Sequence, residues 1–94
     1  MNACYILYTP SIDKFYVGAT QEDVYIRLQK HNTKAYDNAS TAYTSDWEIF
    51  LFIECISYSQ AINIERHIKR MKSKTYIKNL KSYPEMIEKL LLKY

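Results

Sequence analysis

The residues able to do chemistry are found as breaks in an otherwise apolar pattern. Ala61, Ile64, Ile68 and Met71 recur at helical spacing, and Glu65 falls within that stripe, four after Ala61 and three before Ile68. A carboxylate there is costly to bury unless it meets a cation or a metal ion. Taken singly, it reads as half of an ion pair with a buried Arg, as the edge of the stripe, or as a metal ligand or acid/base. Arg27 and His31 lie four apart, flank Leu28 and share the side of Val24. A lone His there is most simply structural. An Arg, a His and a Glu on two core-facing helices predict a polar patch over one sheet. Gly18, the only glycine, falls within a strand, where it costs packing but opens space for a close approach. Tyr16 shares its face by strand alternation, with Tyr5 on the neighbouring strand.

The elements that must position these groups follow from pattern. Cys4–Tyr8 and Phe15–Ala19 read as strands joined through a Pro- and Asp-containing turn, hence an antiparallel hairpin. Thr20 with Asp23 resembles a capping box, opening a helix over 22–32 whose face is Val24, Leu28 and His31. The polar stretch 33–46 reads as a mobile surface loop. Trp47–Ile56 is apolar enough to be a central strand buried on both faces. Ser57 with Gln60 caps a long helix reaching Ser73. Residues 74–80 continue as helix, and Pro84 opens a last one over 85–93. The order β-β-α-β-α-α-α predicts an α+β fold with a three-stranded antiparallel sheet flanked by helices.

The totals bound the rest. Ninety-four residues suit one domain, 1–94, with a shallow site. Cys4 and Cys55 have neither metal-site nor disulfide-framework spacing and read as reduced and buried. No secretory pattern opens the chain and no stretch is long and apolar enough to span a bilayer, so a cytoplasmic protein is expected. Net charge is only +3, but residues 66–81 carry seven positive charges and no acid, leaving six basic against ten acidic residues elsewhere. Such one-sidedness suits a polyanionic partner, although a basic run alone is also what a solvated helix face looks like.

Ala3-Cys4-Tyr5, ten intervening residues and Tyr16-Val17-Gly18 resemble the paired motifs of the GIY-YIG nucleases. Arg27, His31 and Glu65 follow at the family's places. The text from Glu65 to Lys74 is similar to a short stand-alone branch named after the excinuclease whose nuclease half it resembles. The resemblance covers residues 3–80. It departs at Ala3 and Cys4, which replace the first motif's Gly and Ile. It departs again at Ala19, where some members carry a catalytic Lys, which turns attention to His31 as proton partner. The resemblance implies DNA phosphodiester hydrolysis, with a repair setting and branched or damaged DNA among the candidate substrates. It implies one divalent ion, Mg²⁺ or Mn²⁺, with Glu65 as its only protein ligand. Arg27 would hold the scissile phosphate, Tyr16 would position water or phosphate, and Tyr5 would be the general base. An ordinary Tyr, with a pKa of about 10, needs cations or His31 to serve that role. Lys69, Arg70, Lys72 and Lys74 would bind backbone phosphates. A non-catalytic nucleic-acid-binding module of the same fold and a protein-interaction domain stand as alternatives.

Overall fold

The computed structural model describes residues 1–33 and 44–94. Most of the expected 33–46 loop therefore lies outside the described residues. Strands β1 (Asn2–Thr9), β2 (Lys14–Thr20) and β3 (Glu48–Cys55) form an antiparallel sheet ordered β2-β1-β3, with helices α1 (Val24–Asn32), α2 (Tyr58–Met71), α3 (Lys74–Ser82) and α4 (Pro84–Lys93). This is the expected α+β arrangement.

The central strand is β1, not β3. Residues Ala3 to Leu7 are fully buried, whereas β3 pairs only with β1 and leaves Phe52 at 36% exposure. A continuous apolar run signals two covered faces, but it does not count hydrogen-bonded edges. A register shift supplies the rest of the explanation. Ile6 faces Leu51 while Leu7 faces Ile49, so Phe50 is the extra residue of a bulge. Phe50 and Leu51, adjacent in sequence, both pack on the same core, and strict alternation is lost.

Helix boundaries differ from expectation where a better cap is available. Asp23, not Thr20, caps α1, its carboxylate accepting from the Tyr25 N–H at 2.8 Å, while Thr20 turns onto Glu22. Ser57 caps α2 as expected, accepting from the Gln60 N–H at 3.1 Å. α2 stops at Met71 because Lys72 takes the left-handed conformation, φ 48°, and Ser73 caps α3 by accepting from Tyr76 N–H. Met71 itself, expected on the buried stripe, is 45% exposed.

The two sheet faces differ. Cys4, Ile6, Val17, Ala19 and Ile53 pack beneath Ala61, Ile64 and Ile68 of α2, with Leu80 and Leu90 completing that core. Ala3, Tyr5 and Leu7 point the other way, onto Val24, Leu28 and Trp47. Both cysteines are free and buried; burial, with Glu65 next, pushes the Cys4 thiol far up, so it stays protonated.

Candidate active site

Tyr5 is held under α1 by the geometry of the hairpin. Its register partner on β2 is Gly18, and a Cβ there would lie 2.6 Å from Tyr5 Cζ and Oη. Any larger residue would push the phenol away, so the lone glycine makes room for this ring. Alternation brings Tyr16 to the same face, its ring 6.3 Å from that of Tyr5. α1 lays Arg27 and His31 above both. Tyr5 Oη is 3.0 Å from His31 Nε2, and Arg27 Nη2 donates to Tyr5 Oη at 3.4 Å. The Oη–Nε2 bond runs from Tyr5 to His31 when the neutral imidazole carries its proton on Nδ1. The His31 and Tyr16 rings are 5.1 Å apart.

His31 is 2% exposed. Burial, aided by the Arg27 charge, lowers its pKa from 6.5 to about 4, so it is neutral at pH 7. Arg27 is half-buried and also lines an adjoining polar cleft of about 290 Å³ with Thr20, Gln21, Glu22 and Tyr58. The Glu22 carboxylate in that cleft is paired with Lys30 at 2.8 Å. Tyr58 carries no signal in the sequence. It sits in the first turn of α2, and only the fold brings that turn beside Arg27.

Glu65 is placed differently from expectation. α2 covers the face of Cys4 and Ile6, not that of Tyr5, so Glu65 and the Arg27–His31 pair approach the sheet from opposite sides. The reason is β1 alternation, which sends Tyr5 and Cys4 to opposite faces. Glu65 reaches the tyrosine cluster around the β2 edge. Its carboxylate binds Lys69 Nζ at 2.7 Å, and that ammonium lies 5.8 Å from the Tyr16 ring centroid. Two of the other basic residues have separate partners. Arg70 donates to Tyr94 Oη at 3.4 Å, Lys74 donates to the Asp13 carbonyl at 2.7 Å, and Lys72 is exposed at the α2 terminus.

Among the described residues no three His, Cys, Asp or Glu side chains gather as a metal site. That excludes from them a closed zinc-type set. A lone, largely covered carboxylate fits Mg²⁺, which retains most of its waters. No helix among the described residues is long and apolar enough to cross a membrane.

The family model of the GIY-YIG catalytic domain matches residues 1–80. No curated protein and no solved structure matches the chain.

Proposed function

This chain belongs to the GIY-YIG nuclease family, and we propose that it is a metal-dependent endonuclease hydrolysing phosphodiester bonds in DNA. The observation that supports this most is the Tyr5 hydroxyl set between the Arg27 guanidinium and a neutral His31 nitrogen. Tyr5 takes a proton from the attacking water as its own proton passes to His31 Nε2. Arg27 would bind the scissile phosphate through its planar fork and offset the charge that develops there. The bound phosphate offsets the Arg27 charge that helps keep His31 from protonating, so substrate favours the transfer. Tyr16 packs against His31 and limits where the phosphate can sit.

Glu65 would hold the divalent ion, Mg²⁺ or Mn²⁺, with Lys69 leaving the carboxylate. A divalent ion there neutralises charge on the departing oxygen. The Ala3 and Cys4 departures leave the strand intact. Both residues are fully buried and paired on both sides, Ala3 with Thr20 and Glu54 and Cys4 with Ala19 and Ile53. In this reading residues 1–94 act as one unit, α4 being docked through Leu90.

One observation favours a non-catalytic binding module: Tyr5 is 0% exposed. Hydrolysis therefore requires the hydroxyl to be uncovered, with Arg27, which donates to it, turning onto the phosphate. The deciding experiment is nicking of plasmid, branched and single-stranded DNA with Mg²⁺ or Mn²⁺ by the wild type and Glu65→Gln. Cleavage by the wild type alone supports the nuclease. DNA binding without cleavage by either supports the module.

A further inference from the structure

A second cavity, of about 310 Å³, lies on the far flank of α2 among α2, α3 and α4, lined by His67, Tyr76, Met86, Lys89, Leu90 and Lys93. Glu65 and His67 are two residues apart, about 200° around the helix, so this cavity and the tyrosine cluster lie on different sides of α2. Its floor is apolar: Leu90 is buried and Met86 half-buried. Its walls are rings. His67 and Tyr76 are 6.0 Å apart, and His67 Nδ1 is 2.9 Å from Tyr94 Oη. Its rim is cationic, with exposed Lys89 and Lys93. Of the acids of α4, Glu88 falls on its other side by helical spacing, and Glu85 lies at its flank one turn before Lys89. The family match ends at residue 80, so the α4 half of this cavity is supplied by residues outside it.

We propose that this cavity is a second nucleic-acid site, taking a base of a single-stranded segment against the His67 and Tyr76 rings with the flanking phosphates on Lys89 and Lys93. Apolar, ring-bounded space is what a base stacks into, and every base has such a face, so the site is indifferent to sequence. The size falls at the lower end for small-ligand pockets, enough for one base rather than a paired step. The cations supply a salt-dependent grip on the strand. A duplex crossing the tyrosine cluster and continuing into an unpaired strand would engage both sites. The proposal does not rest on catalysis at the first.

The test uses the full chain carrying Glu65→Gln, so that no cleavage intrudes. Binding of a labelled ten-nucleotide oligo-dT is followed by anisotropy, and the Tyr76 and His67 ring protons by NMR. Lys89→Ala with Lys93→Ala, both at exposed positions, is expected to weaken oligo-dT binding about 10-fold and to lower the salt slope by about 1.4. Oligo-dT is expected to move both ring signals. AMP should move them only at much higher concentration, and tripolyphosphate should leave them in place. Ring signals that ignore oligo-dT, or that respond equally to tripolyphosphate, overturn the base pocket. AMP binding as tight as oligo-dT overturns the strand and leaves a free-nucleotide site. Unchanged oligo-dT affinity in the double lysine variant overturns the proposal outright. Nicking by the wild type is read separately, so a failed nuclease assay leaves these outcomes intact.

Discussion

The face of the sheet under α2 is packed with Cys4, Ile6, Ile53, Ile64, Ile68 and Leu80, while the face under α1 carries a hydrogen-bonded Tyr, His and Arg. Both are built on one strand, β1, whose successive side chains alternate between them. The α2 face can be optimised for burial alone, and it carries the larger of the two buried apolar clusters. The α1 face then tolerates costly polar groups, because the fold does not depend on it to the same degree. A chain this short has little surplus stability, and segregating the two demands by side chain parity is how it meets both.

Substitutions on the two faces should therefore separate activity from stability. The largest effect is expected from Tyr5→Phe, which should cut nicking by roughly 10²–10⁴-fold, the usual worth of a positioned base. Its stability cost should stay at about 1–3 kcal/mol, from the buried His31 nitrogen that loses its partner. Wild-type nicking by this variant would remove the base from the α1 face. Next, Ile64→Ala should cost about 2–5 kcal/mol in urea denaturation, as a buried large-to-small change does. The surviving folded fraction should nick at the normal rate per molecule. A large loss per folded molecule would mean the faces are not separable.

Gly18→Ala tests the joint between them. With a Cβ 2.6 Å from the Tyr5 ring, stability should fall by about 1–3 kcal/mol. Nicking should fall too, because the displaced phenol leaves His31. An unaffected Gly18→Ala protein would show that the hairpin does not set the ring's position.

The remaining effect is in pH. Folded His31 titrates at about 4 against 6.5 for the ordinary group. Between those values the unfolded chain binds more protons, so the contribution is complete above about pH 6.5 and is lost as pH falls toward 4. His31→Gln should flatten the stability profile in that window, as denaturant midpoints at several pH values would show. Adding phosphate or Mg²⁺-free oligonucleotide should raise the His31 midpoint, read by NMR, since it offsets Arg27. An unmoved midpoint would place the phosphate away from Arg27.

Much of this was legible in the chain. The α+β order, the hairpin, the Ser57 cap, the Pro84 start and the nearness of Tyr5 to Gly18 all follow from local rules. Strand parity, helical spacing and turn chemistry each act over a few residues. The β3 edge position was not legible, because an apolar run over 47–56 reports neither hydrogen-bonding neighbours nor burial on both faces; within the strand only Ile53 and Cys55 are buried. The separate sidedness of Glu65 was not legible either. Helical spacing showed that Glu65 and Arg27 each border a core face, yet two helices can border two different faces.

By itself, then, the sequence determined which residues could do chemistry and which element carries each, because side chain type and local periodicity are encoded within one or two turns. The tertiary structure alone decided which of them meet. It set Tyr5 against His31 and Arg27, left Glu65 to approach around the β2 edge through Lys69, and drew His67, Tyr76 and Lys93 into one cavity. Those meetings depend on which face of the sheet each helix covers. That choice is made by long-range packing of the whole core, which no local stretch of sequence records.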